Sequence, residues 1–207
     1  ARSYEYTDDL FNRLRPYSVP FAPAVALSAA WYPGAHFTAG PGAWFGIAAD
    51  GAYALGLSSR DGANNRYTTT AFSYSVGLSV RVPIGWRVEL GGRVAYAQQR
   101  FALEAAPGAG STGGSAPGSG STGFPSVDYR MVRVALEGRF ALARRFALLA
   151  RGGYDVVLDA GELFSTAYFP RGTAGCGHAM VGFAVPLVAG LELRLTVEGR
   201  RYFFAFN

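Results

Sequence analysis

The chain has 207 residues, half of them hydrophobic and only 16% charged, with Gly 28, Phe 15, Tyr 12 and Trp 3. That length suits one barrel or sandwich, the shortage of charge leaves little surface meant for water, and the glycine and aromatic content disfavours helices and favours pleated strands. The net charge of +5 comes without a single Lys, and its arginines are scattered singly rather than clustered, which argues against a phosphate-binding stripe and with it nucleic acid as a partner; one cysteine excludes a disulfide framework and any multi-cysteine metal site.

Residues 1–16 form an N-terminal segment ahead of a single domain over 17–207. Within the segment, residues 7–15 read as a short helix. Thr7 is its N-cap, Asp8 and Asp9 sit at the positive end, Leu10, Phe11 and Leu14 share a side, and Arg13 and Arg15 come late. No apolar leader precedes it, so an exported chain is expected to have Ala1 near its mature start. Residues 16–49 carry no formal charge, which is long enough for a spanning helix. Pro16, Pro20, Pro23, Pro33, Gly34, Gly40, Pro41 and Gly42 forbid one, and the stretch reads as a hairpin with strands over about 24–32 and 44–57.

A connection over 60–67 leads into the clearest alternation. In 72–82, Phe72, Tyr74, Val76, Leu78, Val80 and Val82 oppose Ser73, Ser75, Gly77, Ser79 and Arg81. After a short turn at 83–85, the strand 86–96 sets Trp86, Val88, Leu90, Gly92, Val94 and Tyr96 against Arg87, Glu89, Gly91, Arg93 and Ala95. Residues 104–126 form a long connection whose core, 107–123, is almost pure Gly, Ser, Thr, Ala and Pro and reads as a flexible loop. Strand 132–142 then places Val132, Val134, Leu136, Gly138, Phe140 and Leu142 opposite Arg133, Ala135, Glu137, Arg139 and Ala141. Weaker alternation follows at 146–159 and, past a long connection around 160–175, at 177–187. Finally Leu191, Leu193, Leu195 and Val197 oppose Glu192, Arg194, Thr196 and Glu198. The total is about eight strands, in an all-β, single antiparallel up-and-down arrangement.

Alternation alone does not say which face is buried, because a soluble lipocalin-type barrel alternates with its apolar residues inside. The composition of the polar face decides: it mixes Arg and Glu with Gly, Ala and Ser, which suits the interior of a narrow barrel better than a water-facing exterior. Arg87, Glu89, Arg93, Glu137, Arg139, Arg151, Asp155, Glu192, Arg194 and Glu198 are then expected to form an ion-pair network in the lumen, since buried charges are tolerated when paired. Trp86, Phe140 and Phe146 flank short turns, where an interfacial aromatic girdle would lie.

The end of the chain, from Gly199 to Asn207, carries Tyr202, Phe204 and Phe206 at alternate positions. It resembles the carboxy-terminal signal strand of bacterial outer-membrane β-barrels, and the chain as a whole is similar in architecture to the small eight-stranded members. The resemblance implies a transmembrane β-barrel in the outer membrane of a Gram-negative bacterium. Its implied partners are outer-membrane lipids and lipopolysaccharide, together with an assembly machinery that reads Tyr202, Phe204 and Phe206. The aromatics have the opposite parity to Leu193, Leu195 and Val197, which a bulge near Gly199 would reconcile.

Catalysis has little support. Lipid-modifying barrels need a nucleophile, a His base and an orienting acid. Only His36 and His178 could serve as the base. Barrels of the lipid A deacylase type carry Ser two residues after the His, where this chain has Met180, and His36 lies in a Pro/Gly-rich loop without an acid beside it. His178 is instead expected to be an inward side chain near a strand end. Thr173-Ala174-Gly175-Cys176 resembles a lipoprotein cleavage site but follows no apolar signal. No catalytic, cofactor or metal site is expected. The role expected is structural, or the binding of an envelope partner or ligand through loops on a rigid scaffold. A lipid-modifying hydrolase and a narrow, porin-like channel or carrier are the alternatives. The topology holds one conflict: eight strands put both termini on the rim of the long connections, whereas bacterial barrels usually face short turns to the periplasm. Either residues 1–15 add a strand, or the long connections face the periplasm.

Overall fold

Alternation of period two commits the chain to strands, and short polar or Gly/Pro-bearing connections between them make a meander. The computed structural model describes residues 2–4, 17–19, 23–55, 58–60, 66–105, 127–143, 146–161, 164–166, 172–188 and 191–205. Strands β1 (Arg2–Tyr4) and β2 (Tyr17–Val19) pair with each other. A second sheet contains β3 (Ala24–Trp31), β4 (Phe45–Ala54), β5 (Ser58–Arg60), β6 (Arg66–Ile84), β7 (Val88–Ala105), β8 (Val127–Ala143), β9 (Phe146–Gly161), β10 (Thr173–Val188) and β11 (Leu191–Ala205). Its order is β3-β4-β6-β7-β8-β9-β10-β11, antiparallel throughout, with β5 continuing the line of β4 along β6. The path therefore holds eight strands. Tyr17–Val19 belongs to the small sheet, so the large sheet begins at Ala24 rather than at residue 17; the helix expected over 7–15 lies outside the described residues.

The sheet is strongly curled into a half-barrel whose edge strands, β3 and β11, do not pair with one another. Small residues on the concave side permit the curl. Gly77 on β6 is so close to the backbone of Val94 and Ala95 that a Cβ there would overlap the Val94 carbonyl oxygen. The curl carries β11 across the interior to β7, where Arg200 Nη1 and Tyr202 Oη both donate to Gln99 Oε1, at 2.7 and 2.8 Å.

Three details differ from the sequence expectation. Gly85 takes φ +68° in a tight turn, so Trp86 and Arg87 belong to that turn and β7 starts at Val88. A glycine is needed there because a left-handed backbone crowds a Cβ. At the opposite rim the ladders run on: β6 starts at Arg66, and β10 starts at Thr173 rather than 177. Thr68, Thr69 and Thr70 keep strand propensity without alternating in polarity, which hides the strand from a periodicity reading. Lastly, the β10–β11 register is continuous through Gly199, and its one irregularity is between Pro186 and Val188. Pro186 has no N–H to donate to the ladder. Without a bulge at Gly199, Tyr202 and Phe204 fall on the concave side.

The connection over 32–44 contains two one-turn 3-10 helices, Pro33–His36 and Pro41–Trp44, each opened by a proline whose fixed φ suits a first helical position. It shares a rim with the ends of β6, β8 and β10 and the starts of β7, β9 and β11; β3 begins and β11 ends at the opposite rim.

Candidate functional site: the concave face and its cavity

Residues of one parity point into the curl and those of the other point away from it. The outward parity is apolar and bare: Leu27 is 78% exposed, Leu136 75% and Leu195 76%, and Val25, Trp31, Leu78, Val94, Val134, Leu158 and Leu193 are exposed beside them. The inward parity is polar and shielded, with Ser75, Ser79, Arg93, Arg133, Asp155 and His178 all buried. This inverts the burial of a water-soluble domain, in which charge lies outside and large apolar side chains lie within.

The buried charges form two groups. In the first, Arg93 on β7 contacts Asp50 on β4 and lies 3.3 Å from Glu137 Oε1 on β8, and Arg151 Nε on β9 is 2.9 Å from the same oxygen. Ser75 Oγ donates to Asp50 at 3.2 Å. Nearby, Glu192 on β11 accepts from Arg139 Nη1 and from Arg194 Nε, each at 2.6 Å. In the second, Arg133 Nε and Nη2 donate to the two oxygens of Asp155 at 2.8 and 3.0 Å. His178 Nδ1 comes within 3.3 Å of Asp155 Oδ1. The parity that buries Asp155 also buries Cys176, a free thiol.

Of the residues expected in the lumen network, Arg93, Glu137, Arg139, Arg151, Asp155, Glu192 and Arg194 thus gather on the concave face. Glu89 lines the same cavity, and Glu198 pairs with Arg200 on the edge strand at 2.9 Å. Arg87 does not join them. It is exposed in the turn at the rim, with its guanidinium 4.1 Å above the Trp86 ring. The sequence reading missed Asp50, Arg133, His178, Arg200 and Gln99 as network members. Parity was the available signal for Arg133, which alternates with Ala135 and Glu137. For Asp50 the signal was faint, since Gly46 and Ala48 precede it on the same face.

Tyr202 and Phe204 pack against a concave cluster of Ala97, Val127, Tyr129, Met131, Val157 and Ala160. The Tyr202 ring is stacked on Tyr129 at 4.7 Å between centroids and on Phe204 at 6.3 Å. Phe206 lies outside the described residues. This cluster fills the half of the interior nearer the long connections. The other half holds a cavity of about 300 Å³ toward the short connections, lined from β3 around to β11. Among the described residues the concave face therefore carries an apolar, aromatic-bearing cluster toward one end and a charge-lined cavity toward the other.

No family model, curated protein or solved structure matches this chain. Chemistry must be read from the geometry alone. His178 has the acid partner a general base requires, but His178, Asp155 and Cys176 are all shielded from solvent, and a nucleophile must be reachable by its substrate. His36 is exposed, edge-on to Phe37 at 6.4 Å. Among the described residues no group of His, Cys, Asp and Glu could hold a metal ion.

Proposed function

We propose that this chain is an integral outer-membrane β-barrel of a Gram-negative bacterium, with a structural or partner-binding role in the envelope and no catalytic constellation. The observation that carries the reading is the inverted burial: large apolar side chains cover the convex face of every long strand, while paired charges are shielded on the concave face. A water-soluble monomer rarely exposes a continuous apolar patch beyond a few hundred Å². The apolar runs have the right length. On β7 outward residues are apolar or Gly from Val88 to Tyr96 and then turn polar at Gln98, and on β8 they are apolar or Gly from Val132 to Leu142, with Arg130 before them. Nine to eleven tilted strand residues suffice to cross a bilayer core. No helix among the described residues is long and apolar enough to do so.

A bilayer does not tolerate open sheet edges, so the reading requires β3 and β11 to pair there. Register supports that pairing. Ladder partners followed from Ser28 lead through Asp50, Ser75, Ala97, Met131, Val157 and Ala174 to Phe204. The β11 residues that share a cavity with Ser28 are instead Glu192 and Arg194, Arg194 being ten positions before Phe204. Such a stagger is what closure of a tilted eight-stranded barrel demands. The aromatic filling of the long-connection half argues for a binding scaffold over a channel, and the connections at that rim are the surface offered to a partner.

The deciding experiment is extraction and gel migration. A barrel in the membrane stays with the membrane fraction until detergent is added and migrates differently before and after boiling. Full solubility without detergent would overturn the proposal.

A further inference from the structure

The concave face holds a cavity that membrane insertion of the convex face does not require. Arg81, Arg93, Arg139, Arg151 and Arg194 all line it, and the carboxylates among them are Glu89, Glu137 and Glu192. Each guanidinium has five N–H donors and no acceptor. The acceptors are shared: Glu137 lies against both Arg93 and Arg151, and Glu192 serves both Arg139 and Arg194, while Arg93 also donates to Asp50. Arg81 lies 3.9 Å above the Tyr32 ring and has no carboxylate within ion-pair distance among the described residues.

The pairing around Glu137 is also imperfect. The buried Nε atoms of Arg93 and Arg151 face the buried Glu137 Oε1 at 3.3 and 2.9 Å but out of line with it, so none of these three atoms makes a hydrogen bond. Buried polar groups normally find aligned partners, and those that do not are costly. Five arginines against three carboxylates leave the lining of this half-enclosed space positively charged, with Arg81 facing no carboxylate among the described residues, and such a space is complemented by a ligand that offers acceptor oxygens and negative charge. The planar fork of Arg matches tetrahedral oxyanions in two-point contacts. About 300 Å³ is room for roughly ten waters, at about 30 Å³ each, and so for a phosphate group with part of its hydration.

We infer that this recess binds a phosphate-type oxyanion, either free or as the monoester headgroup of a lipid. The inference rests on the concave face alone and holds whichever medium meets the convex one.

The test is calorimetric titration of the full chain with sodium phosphate at constant ionic strength, in buffer or in zwitterionic detergent, whichever keeps it folded. Saturable one-to-one binding is expected, with sulfate competing. Arg81→Gln and Arg151→Gln should each weaken it by about tenfold, the effect of losing one charge-assisted hydrogen bond, and Arg130→Gln at the far rim should leave it unchanged. Arg81 holds no carboxylate, so its variant is the one expected to fold like the parent, as checked by circular dichroism. Competition by micelles doped with phosphatidic acid, but not by phosphatidylcholine alone, supports the site with a lipid headgroup as source. Binding of soluble phosphate without that competition supports it with free anion as source. Absence of saturable phosphate binding by the parent chain, or affinities unchanged in both Arg variants, overturns the inference.

Discussion

Arg133 and Asp155 are ladder partners on β8 and β9 and hold each other by two parallel hydrogen bonds, in a place where Asp155 is wholly shielded. A fork of this kind offsets the desolvation of both ions only while both are present. Asp155→Ala is therefore expected to cost about 3–5 kcal/mol by stranding a buried guanidinium. The double change Arg133→Met with Asp155→Leu should recover much of that loss. Urea unfolding of the refolded chain measures both, and an Asp155→Ala midpoint equal to the parent's would remove the ion pair from the account.

The convex face makes a prediction whose outcome depends on the surrounding medium. Leu136 lies in the middle of an outward apolar run on β8 and is bare. In a bilayer, Leu136→Arg is expected to cost about 2–4 kcal/mol. An exposed site in water would tolerate it within about 0.5 kcal/mol. Folding yield into lipid vesicles, compared for parent and variant, separates the two, and equal yields would count against membrane insertion.

Close approach of backbones on the concave side predicts a position-dependent response to glycine replacement. A side chain at Gly77 would meet the Val94 carbonyl and the Ala95 backbone, whereas one at Gly152 would meet nothing. Gly77→Val should destabilise by about 1–3 kcal/mol through overpacking, while Gly152→Ala stays near neutral. Thermal unfolding in detergent reads the difference; similar shifts for the two would mean that the curl is less tight than described.

Closure of the two edges predicts a cross-link. In a Cys176→Ser background, Ser28→Cys with Arg194→Cys should form a disulfide on mild oxidation once the chain is in lipid, because such bonds need Cα atoms about 4.4–6.8 Å apart. A pair built on the ladder path instead, Ser28→Cys with Phe204→Cys, should not. Cross-linking of the second pair and not the first would refute the stagger.

The strands and their two faces were legible in the residues themselves, because a side-chain period of two needs no partner strand to reveal it. Phe72 to Val82, Val88 to Tyr96 and Val132 to Leu142 each carry it plainly. Network membership was only partly legible. Arg93 and Glu137 share a parity readable locally, but the contact between Arg93 and Asp50 spans β4 and β7, and that between Arg139 and Glu192 spans β8 and β11. Arg87 carried the right parity and the wrong position, since it sits in the turn at the rim, exposed and stacked on Trp86.

By its own composition and alternation, the chain determined an all-β meander of about eight strands with one apolar and one Arg/Glu-bearing face, since those properties follow from propensity and pleat alone. Tertiary structure decided what depends on curvature. It buried the charged face and bared the apolar one. It turned Tyr202 and Phe204 inward onto Tyr129 by keeping the ladder in register through Gly199, and it set Ser28 and Arg194, from the two edge strands, in the lining of one cavity. The reason is physical: pleat is set residue by residue, whereas curl and stagger accumulate over every ladder between β3 and β11 and exist only in the assembled sheet.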